Sequence, residues 1–373
     1  MNRIKKITSI LIRVLYFVLL GSLLLSYLSP YANPKDYWLF AFFGLAYPYL
    51  LLVNVIFLTW WIMRWNKLYW LSLACILIGW MNMKNLFHLS LNPHQPGRTG
   101  EVKVLSYNVR LFDLYNWTHN KDTRDKIFSF LKNESADIVC LQEFFQGDSG
   151  YFETLNPLLD ITQPESYHVE YTLTRRKKDH WGIATFSKYP MLKKGTVLFK
   201  SMGNNICIFS DLKIGNDTVR VYNMHLQSIS FGYADYKFID ALKEKNDTLD
   251  AEDIEIASKN ILRRIKRAFI KRSEQAERIL QHIVSCKYPV IVCGDFNDTP
   301  FSYTYHAFSE ILEDAFMESG TGIGSTYLGA FPSYRIDYVF HSDHFTSSGF
   351  EVLPEKLSDH YPIRCYIYPA ASD

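Results

Sequence analysis

The chain has 373 residues, is 48% hydrophobic and 16% aromatic, and carries a formal net charge of +2. This length suffices for one large catalytic domain and a further segment. The charge is divided unevenly, because residues 101–373 carry 31 Lys and Arg against 37 Asp and Glu, a net of −6. Nucleic-acid-binding surfaces are basic, so this balance counts against a general nuclease without excluding one.

Three uncharged, apolar runs occupy the N-terminal part: Val14–Ala32, Tyr37–Met63 and Leu68–Met83. A membrane-spanning helix needs roughly 20 apolar residues, with a range of about 17–25. The first two runs meet that length, and the third is marginal unless its helix continues past Lys84. A buried core helix or a signal peptide could explain one run, but three in succession predict insertion. We expect residues 1–91 to be a transmembrane region with about three helices.

Basic residues beside the runs predict the orientation in the membrane. They precede the first run and separate the second from the third (Arg3, Lys5, Lys6, Arg13, Arg64 and Lys67). The N-terminus and the second loop are therefore expected in the cytoplasm. With three spans this is a multi-pass protein of the inner or plasma membrane, and everything after about residue 90 is extracytoplasmic. If the third run is only re-entrant, the remainder stays inside.

A linker at 92–100, rich in Pro and Gly, precedes the rest of the chain. Strand-like and helix-like segments then alternate over residues 101–370. Strands are predicted at 102–108, 137–142, 180–187, 207–212, 219–225, 290–293, 335–341 and 361–368, and helices at 123–133 and 273–285. This pattern predicts an α/β fold, a four-layered sandwich of two packed sheets flanked by helices.

An insertion at about 233–272 interrupts this pattern. Its first part is acidic, and its second part, from Lys259 to Arg272, is basic, with Ile261, Ile265 and Phe269 on one helical face. Such a helix can lie on an anionic membrane surface. The alternative, which we favour, is a solvated helix whose apolar face packs on a sheet and whose charges pair with the acidic neighbour.

Polar side chains recur where the predicted strands end, which is where open α/β sheets build active sites. Alone, each has an ordinary explanation, since Asn forms turns, Glu is usually on the surface and His can be structural. The ordered set is more informative than its members: Asn108, Glu143, Asn223, His225, Asp295, Asn297, Asp337, Asp359 and His360.

The order Asn, Glu, Asn-x-His, Gly-Asp-x-Asn, Asp, Ser-Asp-His resembles the endonuclease/exonuclease/phosphatase superfamily. The resemblance covers about Val102 to Tyr368, and Gly-Asp-Phe-Asn at 294–297 with Ser-Asp-His at 358–360 is its most specific part. The superfamily includes pancreatic-type deoxyribonucleases, abasic-site endonucleases, inositol polyphosphate 5-phosphatases and neutral sphingomyelinases. The resemblance implies the four-layered sandwich and metal-assisted hydrolysis of a phosphate ester.

Phosphate esters are anionic, so their hydrolysis requires neutralised charge and an activated water. A divalent ion, Mg²⁺ or Mn²⁺, meets the first requirement and prefers oxygen ligands. We expect Glu143 to bind it, assisted by Asn108 and Asp359.

The resemblance implies that Asp295 orients and deprotonates the attacking water, with Asn297 holding that water and a phosphate oxygen. His360 is expected to contact the phosphate, with Asp337 fixing its tautomer and raising its pKa. His225 is expected on the leaving-group side as an acid or hydrogen-bond donor.

Two residues are expected to support the site: Asn223 braces His225, and Arg335 is a structural partner of the acidic cluster. One position departs from the abasic-site endonucleases, which have Asp where this chain has Arg110. The Asn-x-His pair is closer to the deoxyribonuclease and sphingomyelinase branches.

The resulting hypothesis is a membrane-anchored, divalent-metal-dependent phosphoesterase, acting on a phosphodiester or phosphomonoester of a lipid or lipid-linked substrate. An anchored DNA or RNA nuclease is the alternative, and a catalytically silent binding module is a third. The expected partners are a phospholipid, nucleic acid or small phosphate ester and the lipid bilayer, and no obligate protein partner is evident.

Overall fold

The computed structural model describes residues 2–90, 94, 97–199, 203–229, 231–232, 235, 238, 251–329 and 334–370. Part of the predicted linker, and most of the predicted insertion before residue 251, lie outside these residues. The chain forms two compact units. The helical unit comprises Met1–Leu86, Gln227–Glu274 and Thr299–His306, and the sheet unit comprises Phe87–Leu226, Gln275–Asp298 and Ala307–Asp373.

Two six-stranded mixed sheets form the sheet unit, with the same pattern of pairing. The strands of the first sheet, in spatial order, are β13 (Phe345–Val352), β14 (Ile363–Pro369), β2 (Val102–Asn108), β3 (Ile138–Gly147), β5 (Asp179–Ser187) and β4 (Ser166–Arg175). Those of the second are β10 (Glu313–Asp314), β12 (Asp337–His341), β9 (Val290–Asp295), β8 (Asp217–His225), β7 (Ile206–Ile214) and β6 (Met191–Val197). Each sheet has one parallel pair, β2 with β3 and β8 with β9, and its other pairs are antiparallel. A two-stranded ribbon joins β1 (His88–Leu89) to β11 (Thr321–Gly322).

Alternation along the strands builds the core between the sheets. Val104 and Ile138 of the first sheet pack in one cluster with Val221, Cys293 and Val339 of the second, and all are buried. The intervening side chains of β2 and β3 point to the opposite face, because the side-chain period of a strand is two residues. The period of each strand therefore decides which of its residues face the other sheet.

Helices cover the outer faces of both sheets. The helices α5 (Thr123–Glu134) and α6 (Leu155–Thr162) pack on the outer face of the first sheet, where Ile127 and Leu158 join Leu105 and Leu141. On the second sheet, His282 of α7 (Ala251–Val284) accepts or donates a 2.8 Å hydrogen bond with the Tyr222 hydroxyl. Shorter helices are α8 (Tyr303–Ser309) and α9 (Ala315–Ser319). The predicted four-layered α/β sandwich is confirmed.

The helical unit begins with α1 (Asn2–Ser26), α2 (Pro34–Met63), α3 (Leu68–Ile78) and α4 (Trp80–Leu86). By length and apolar composition, two described segments could cross a membrane, Ile4–Tyr31 and Pro34–Met63. The third predicted span is two shorter helices in the structure, because α3 has only 11 residues and ends at Ile78, before α4 begins at Trp80. A single helix of that length rises about 16 Å, roughly half of a hydrocarbon core.

Contacts along α1 show that α3 and α4 together run back along the bundle. Near the middle of α1, the Tyr16 hydroxyl lies 3.3 Å from the Leu68 carbonyl. Just beyond its C-terminal end, the Tyr27 hydroxyl donates to the Cys75 carbonyl at 3.0 Å. Leu86 then packs against the cluster that contains Tyr27 and Tyr47. The chain thus leaves α4 at the end of the bundle where α1 turns into α2.

Candidate active site

The face that packs the two sheets together becomes polar at one end of the sandwich. On β2, Ser106 and Asn108 continue the face of Val104, and on β8, Asn223 and His225 continue the face of Val221. The carboxyl ends of parallel neighbours meet at one edge, so register brings these groups together. Asn108 is opposite Gln142 on β3, and His225 is opposite Asp295 on β9.

Asp295 lies at the centre of this end and is 1% exposed. Its Oδ2 accepts hydrogen bonds from Asn108 Nδ2 at 3.0 Å and Asn297 Nδ2 at 3.1 Å. Its Oδ1 accepts from the Asn297 backbone nitrogen at 2.8 Å. The imidazole Nε2 atoms of His225 and His360 lie 3.6 Å and 3.7 Å from Oδ2. Burial raises the pKa of Asp295, and the Asp337 carboxylate adds to that rise against the opposing effect of His360.

The loop after β9 turns sharply to place Asn297 beside Asp295. Asn297 has φ of 53° and Gly294 has φ of 145°, and a Cβ on Gly294 would lie 2.0 Å from the Met224 carbonyl oxygen. Only glycine fits that position. The Asn297 side chain also donates to the Leu226 carbonyl at 3.1 Å, which ties this loop to the end of β8.

His360 and Asp337 form a buried pair. His360 Nδ1 lies 2.8 Å from Asp337 Oδ2, and the two side chains are 6% and 2% exposed. Burial alone would lower the pKa of His360, but the carboxylates of Asp337 and Asp295 outweigh it and hold the pKa well above 6.5. This shift favours the positively charged imidazolium, whose Nε2 lies 3.7 Å from Asp295 Oδ2.

Glu143 and His225 form the other side of the site. Glu143 lies at a bulge between β3 and β5 and has φ of 49°, so its side chain departs from the alternation of the strand. Glu143 Oε1 lies 3.7 Å from His225 Nε2, which is buried and has no hydrogen-bond partner among the described residues. Burial in the cleft raises the pKa of Glu143, with Asp359 and Asp295 adding to the rise against His225 and His360.

The Ser-Asp-His segment is fastened to the end of β2. Ser358 Oγ donates to the Asn108 carbonyl at 2.8 Å. Asp359 forms an ion pair with Arg110, Oδ2 to Nε at 3.2 Å, and the Arg110 guanidinium lies 4.4 Å from the Trp117 ring centroid. Arg110 therefore holds Asp359 at the rim of the site.

Asn223 joins the two sheets. It accepts a 2.7 Å hydrogen bond from Gln142 Nε2 and donates a 2.8 Å bond to the Ala184 carbonyl, both in the first sheet. The hydrogen bonds given for its side chain run to β3 and β5 and not to His225, which it was expected to brace. Arg335 forms a buried ion pair with Asp314 at 2.5 Å, and Asp314 also accepts from the Phe316 backbone nitrogen at the start of α9. Arg335 thus stabilises the segment that precedes Asp337.

The site brings together all eight residues predicted for catalysis and metal binding. Close contacts link Glu143 to His225, His225 to Asp295, and Asp295 to His360. Sequence reasoning missed Gln142, Ser358 and the Arg110–Asp359 pair. Gln142 and Ser358 stand beside predicted residues in Leu-Gln-Glu and Ser-Asp-His, so adjacency to the motifs was their available signal. The contact between residues 110 and 359 has no signal in one sequence.

Two parts of the site could hold a cation: the group around Asp295 and the carboxylate of Glu143. Ligand atoms of Asp295, Asp337 and His360 lie within 4.8 Å of one another. In that group, however, the Asp337–His360 hydrogen bond and the three N–H donors on Asp295 already use most of the lone pairs. Glu143 has a carboxylate whose nearest described partner is a histidine at 3.7 Å, and its raised pKa reflects burial and neighbouring negative charge that a cation would compensate. The carboxylate oxygens of Glu143 are the kind of ligand that Mg²⁺ and Mn²⁺ prefer.

Comparisons with known proteins agree with this architecture. The model of the Endonuclease/Exonuclease/phosphatase family matches residues 105–360, and a domain of unknown function (DUF8431) matches residues 9–86. The search of curated proteins found no match.

Solved structures share the fold at low identity. An endonuclease/exonuclease/phosphatase family protein from Bacteroides thetaiotaomicron has a TM-score of 0.52 at 16% identity, over 74% of this chain and 100% of its own. A mannosyl-6-phosphatase from the same organism has 0.51 at 16%, over 71% and 99%. The human nocturnin catalytic domain, solved with bound sulfate, has 0.50 at 17%, over 73% and 95%.

The family match covers more than half of the chain and includes every residue of the site described above. The chain belongs to the endonuclease/exonuclease/phosphatase family and is a metal-dependent hydrolase of phosphate esters.

Proposed function

We propose that the protein is a membrane-anchored phosphoesterase in which Asp295 activates the attacking water. The observation that carries this proposal is the convergence of four side chains on one carboxylate oxygen. Asn108, Asn297, His225 and His360 lie 3.0, 3.1, 3.6 and 3.7 Å from Asp295 Oδ2. Two of these neighbours are amides that orient the carboxylate, and two are imidazoles placed to contact a substrate.

Glu143, with Asn108 and Asp359, would hold Mg²⁺ or Mn²⁺. When bound, the ion would neutralise phosphate charge and polarise the ester. Arg110 supports this arrangement in two ways. It pairs with Asp359, and its backbone nitrogen donates to Asn108 Oδ1 at 3.1 Å, which directs that amide oxygen.

The remaining residues either transfer protons or stabilise negative charge. Asp295 takes a proton from water, and its raised pKa makes it a stronger base than an exposed aspartate. The His360 imidazolium, held by Asp337, contacts a phosphate oxygen and stabilises developing negative charge. His225 Nε2, which makes no hydrogen bond among the described residues, is placed to donate to the leaving group.

The catalytic proposal is tested with the full-length protein in detergent and a chromogenic phosphodiester. We expect hydrolysis with Mg²⁺ or Mn²⁺, loss of activity in chelator and recovery when metal is returned. Asp295→Asn should lower kcat at least 100-fold, in line with the contribution of general base catalysis of about 10²–10⁴. Asp217→Asn, at the exposed start of β8, is the matched control and should retain activity. Full activity in chelator or in Asp295→Asn would contradict the proposal.

Anchoring by the N-terminal helices supports a lipid or lipid-linked phosphate as the substrate. An enzyme held at a bilayer meets such molecules at high local concentration without needing high affinity. Since α3 and α4 return the chain to the end of the bundle opposite the basic N-terminus, we place the sheet unit outside the cytoplasm. A reporter at the C-terminus that reads cytoplasmic would reverse this orientation.

An anchored nuclease is the second candidate, and the acidic balance of residues 101–373 counts against it. Sphingomyelin, other phospholipids, sugar and inositol phosphates, plasmid DNA and RNA form the deciding panel. We expect the highest kcat/KM on a lipid substrate in mixed micelles. A preference for DNA or RNA would favour the nuclease. Binding without turnover of any of them would favour the silent binding module.

A further inference from the structure

The helix α7 places its apolar face on α2, the second of the two spanning-length helices. Ile265 and Phe269 are buried in one cluster with Ala41, and the rings of Phe42 and Phe269 are 5.3 Å apart in an edge-on contact. The sequence favoured packing of this face on a sheet, and the structure instead packs it on a helix of the same unit. Lys266 Nζ also lies 4.2 Å from the centroid of the Trp38 ring.

The length of α2 indicates where this contact lies relative to a bilayer. Its 30 residues rise about 45 Å, whereas a hydrocarbon core is about 30 Å thick. Arg64 follows the C-terminal end of α2, and Trp60, Trp61 and Trp65 lie within a few residues of that end. Basic residues and tryptophans are typical of a membrane interface. Counting about 20 residues back from Met63 puts the other boundary near Gly44. The contact with α7 involves residues 38–45, at and just beyond that boundary.

The face of α7 opposite this contact is basic. At helical spacing, Lys259, Arg263, Arg267 and Lys271 form one stripe on the side away from Ile265. Arg263 and Arg267 are exposed. Lys259 also pairs with Glu255 one turn earlier, whereas Arg263, Arg267 and Lys271 have no carboxylate partner among the described residues. Arg264, which lies off the stripe, pairs with Asp235 at 3.0 Å.

We propose that this basic stripe binds anionic lipid headgroups, so that α7 lies on the bilayer surface beside the projecting end of α2. The proposal rests on the membrane anchoring proposed above. Two observations support the proposal. The contact between α7 and α2 lies at the end of a helix that is longer than a membrane span requires, and the positive charge of the stripe is complementary to an anionic surface. Juxtamembrane basic residues gain about 1 kcal/mol each near such a surface, about fivefold in affinity. The enzyme would therefore be surrounded by anionic lipids.

The test uses the full-length protein in nanodiscs, with a fluorophore on Ile256→Cys, which is exposed and on the same face as the stripe. Cys286→Ser removes the one cysteine that is not buried. Lipids with a quencher on the headgroup are added as phosphatidylglycerol or as phosphatidylcholine. At low salt we expect at least about fivefold stronger quenching by the anionic lipid, the contribution of a single basic residue. High salt should remove most of that difference, because screening weakens exposed charges.

Variants separate the stripe from charge in general. Charge reversal of the stripe, by Arg263→Glu, Arg267→Glu and Lys271→Glu together, should abolish the preference for the anionic lipid. The control reverses three charges in the β4–β5 turn, by Arg176→Glu, Lys177→Glu and Lys178→Glu, and should preserve that preference. Equal quenching by both lipids, or quenching by neither, would overturn the proposal. Extraction of the unlabelled protein from membranes by alkaline carbonate would instead overturn the anchoring itself.

Discussion

Replacement of Asp337 by Asn tests whether the buried His360–Asp337 pair keeps His360 in its charged form for catalysis. The His360–Asp337 hydrogen bond is 2.8 Å long and almost fully buried, and Asp337 is the main group that raises the pKa of His360. Hydrogen bonds to charged groups contribute about 1.5–3 kcal/mol, and 1.36 kcal/mol corresponds to one pKa unit. The substitution should therefore remove about 1.5–3 kcal/mol of stabilisation from the imidazolium and lower the pKa of His360.

The sign of the effect on activity follows from the role of each group. The His360 imidazolium is needed in the charged form, so activity is lost as pH rises through its pKa, and Asp337→Asn moves this basic limb to lower pH. The Asp337 charge also raises the pKa of Asp295, so its removal moves the acidic limb to lower pH as well. The same reasoning applies to stability, because a raised histidine pKa stabilises the fold below about pH 6.5 and that contribution is lost as pH rises through the folded-state pKa.

The assay is the pH profile of kcat/KM on the chromogenic phosphodiester at saturating metal. Asp343→Asn is the matched control, because the Asp343–His344 pair is 2.9 Å long but largely exposed, at 88% and 65%. That control should leave both limbs where they are. A basic limb that stays in place in Asp337→Asn would refute the argument that His360 acts as a charged group tuned by its partner.

Three further predictions test the metal site and the packing. Glu143→Gln should raise the dissociation constant for Mn²⁺ at least about 10-fold. In the unaltered protein the affinity for Mn²⁺ should weaken as pH falls, because protons compete with the metal for a carboxylate whose pKa is raised. Calorimetry measures both effects. Asn223→Ala should destabilise the sheet unit by about 1–3 kcal/mol by removing the buried hydrogen bonds to Gln142 and to the Ala184 carbonyl, and an unchanged unfolding midpoint would contradict this. Phe301→Ala should cost about 3–5 kcal/mol, because Phe301 is buried against Tyr47 with ring centroids 4.3 Å apart, and thermal unfolding in detergent measures it.

The sequence predicted the sandwich well because most of its strands are apolar and end in polar groups. It did not predict β4, β6 or β13. β4 and β6 are edge strands with many exposed positions, and β6 reads Met-Leu-Lys-Lys-Gly-Thr-Val, which lacks an apolar pattern. Pairing with a neighbour, and not composition, makes such a segment a strand.

The separation of α3 from α4 was also not predicted, since the uncharged run from Leu68 to Met83 contains no obvious break except Gly79. In the structure, a Cβ on Gly79 would lie 2.3 Å from the Tyr27 ring. The close approach of the Tyr27 side chain therefore favours glycine there, and that preference depends on a contact between residues 52 positions apart.

The sequence by itself determined which side chains can carry the chemistry, because strand alternation and the order of the motifs place Asn108, Asp295 and His360 at strand ends on one face. Only the tertiary structure decided how they meet. The pairing of β2 with β3 and of β8 with β9, and the packing of the two sheets, bring groups from distant segments to within hydrogen-bonding reach. Register and packing between sheets are non-local, so no single segment contains them. For the same reason, the sequence showed that α7 has an apolar face, whereas only the folded chain showed that α2 covers it.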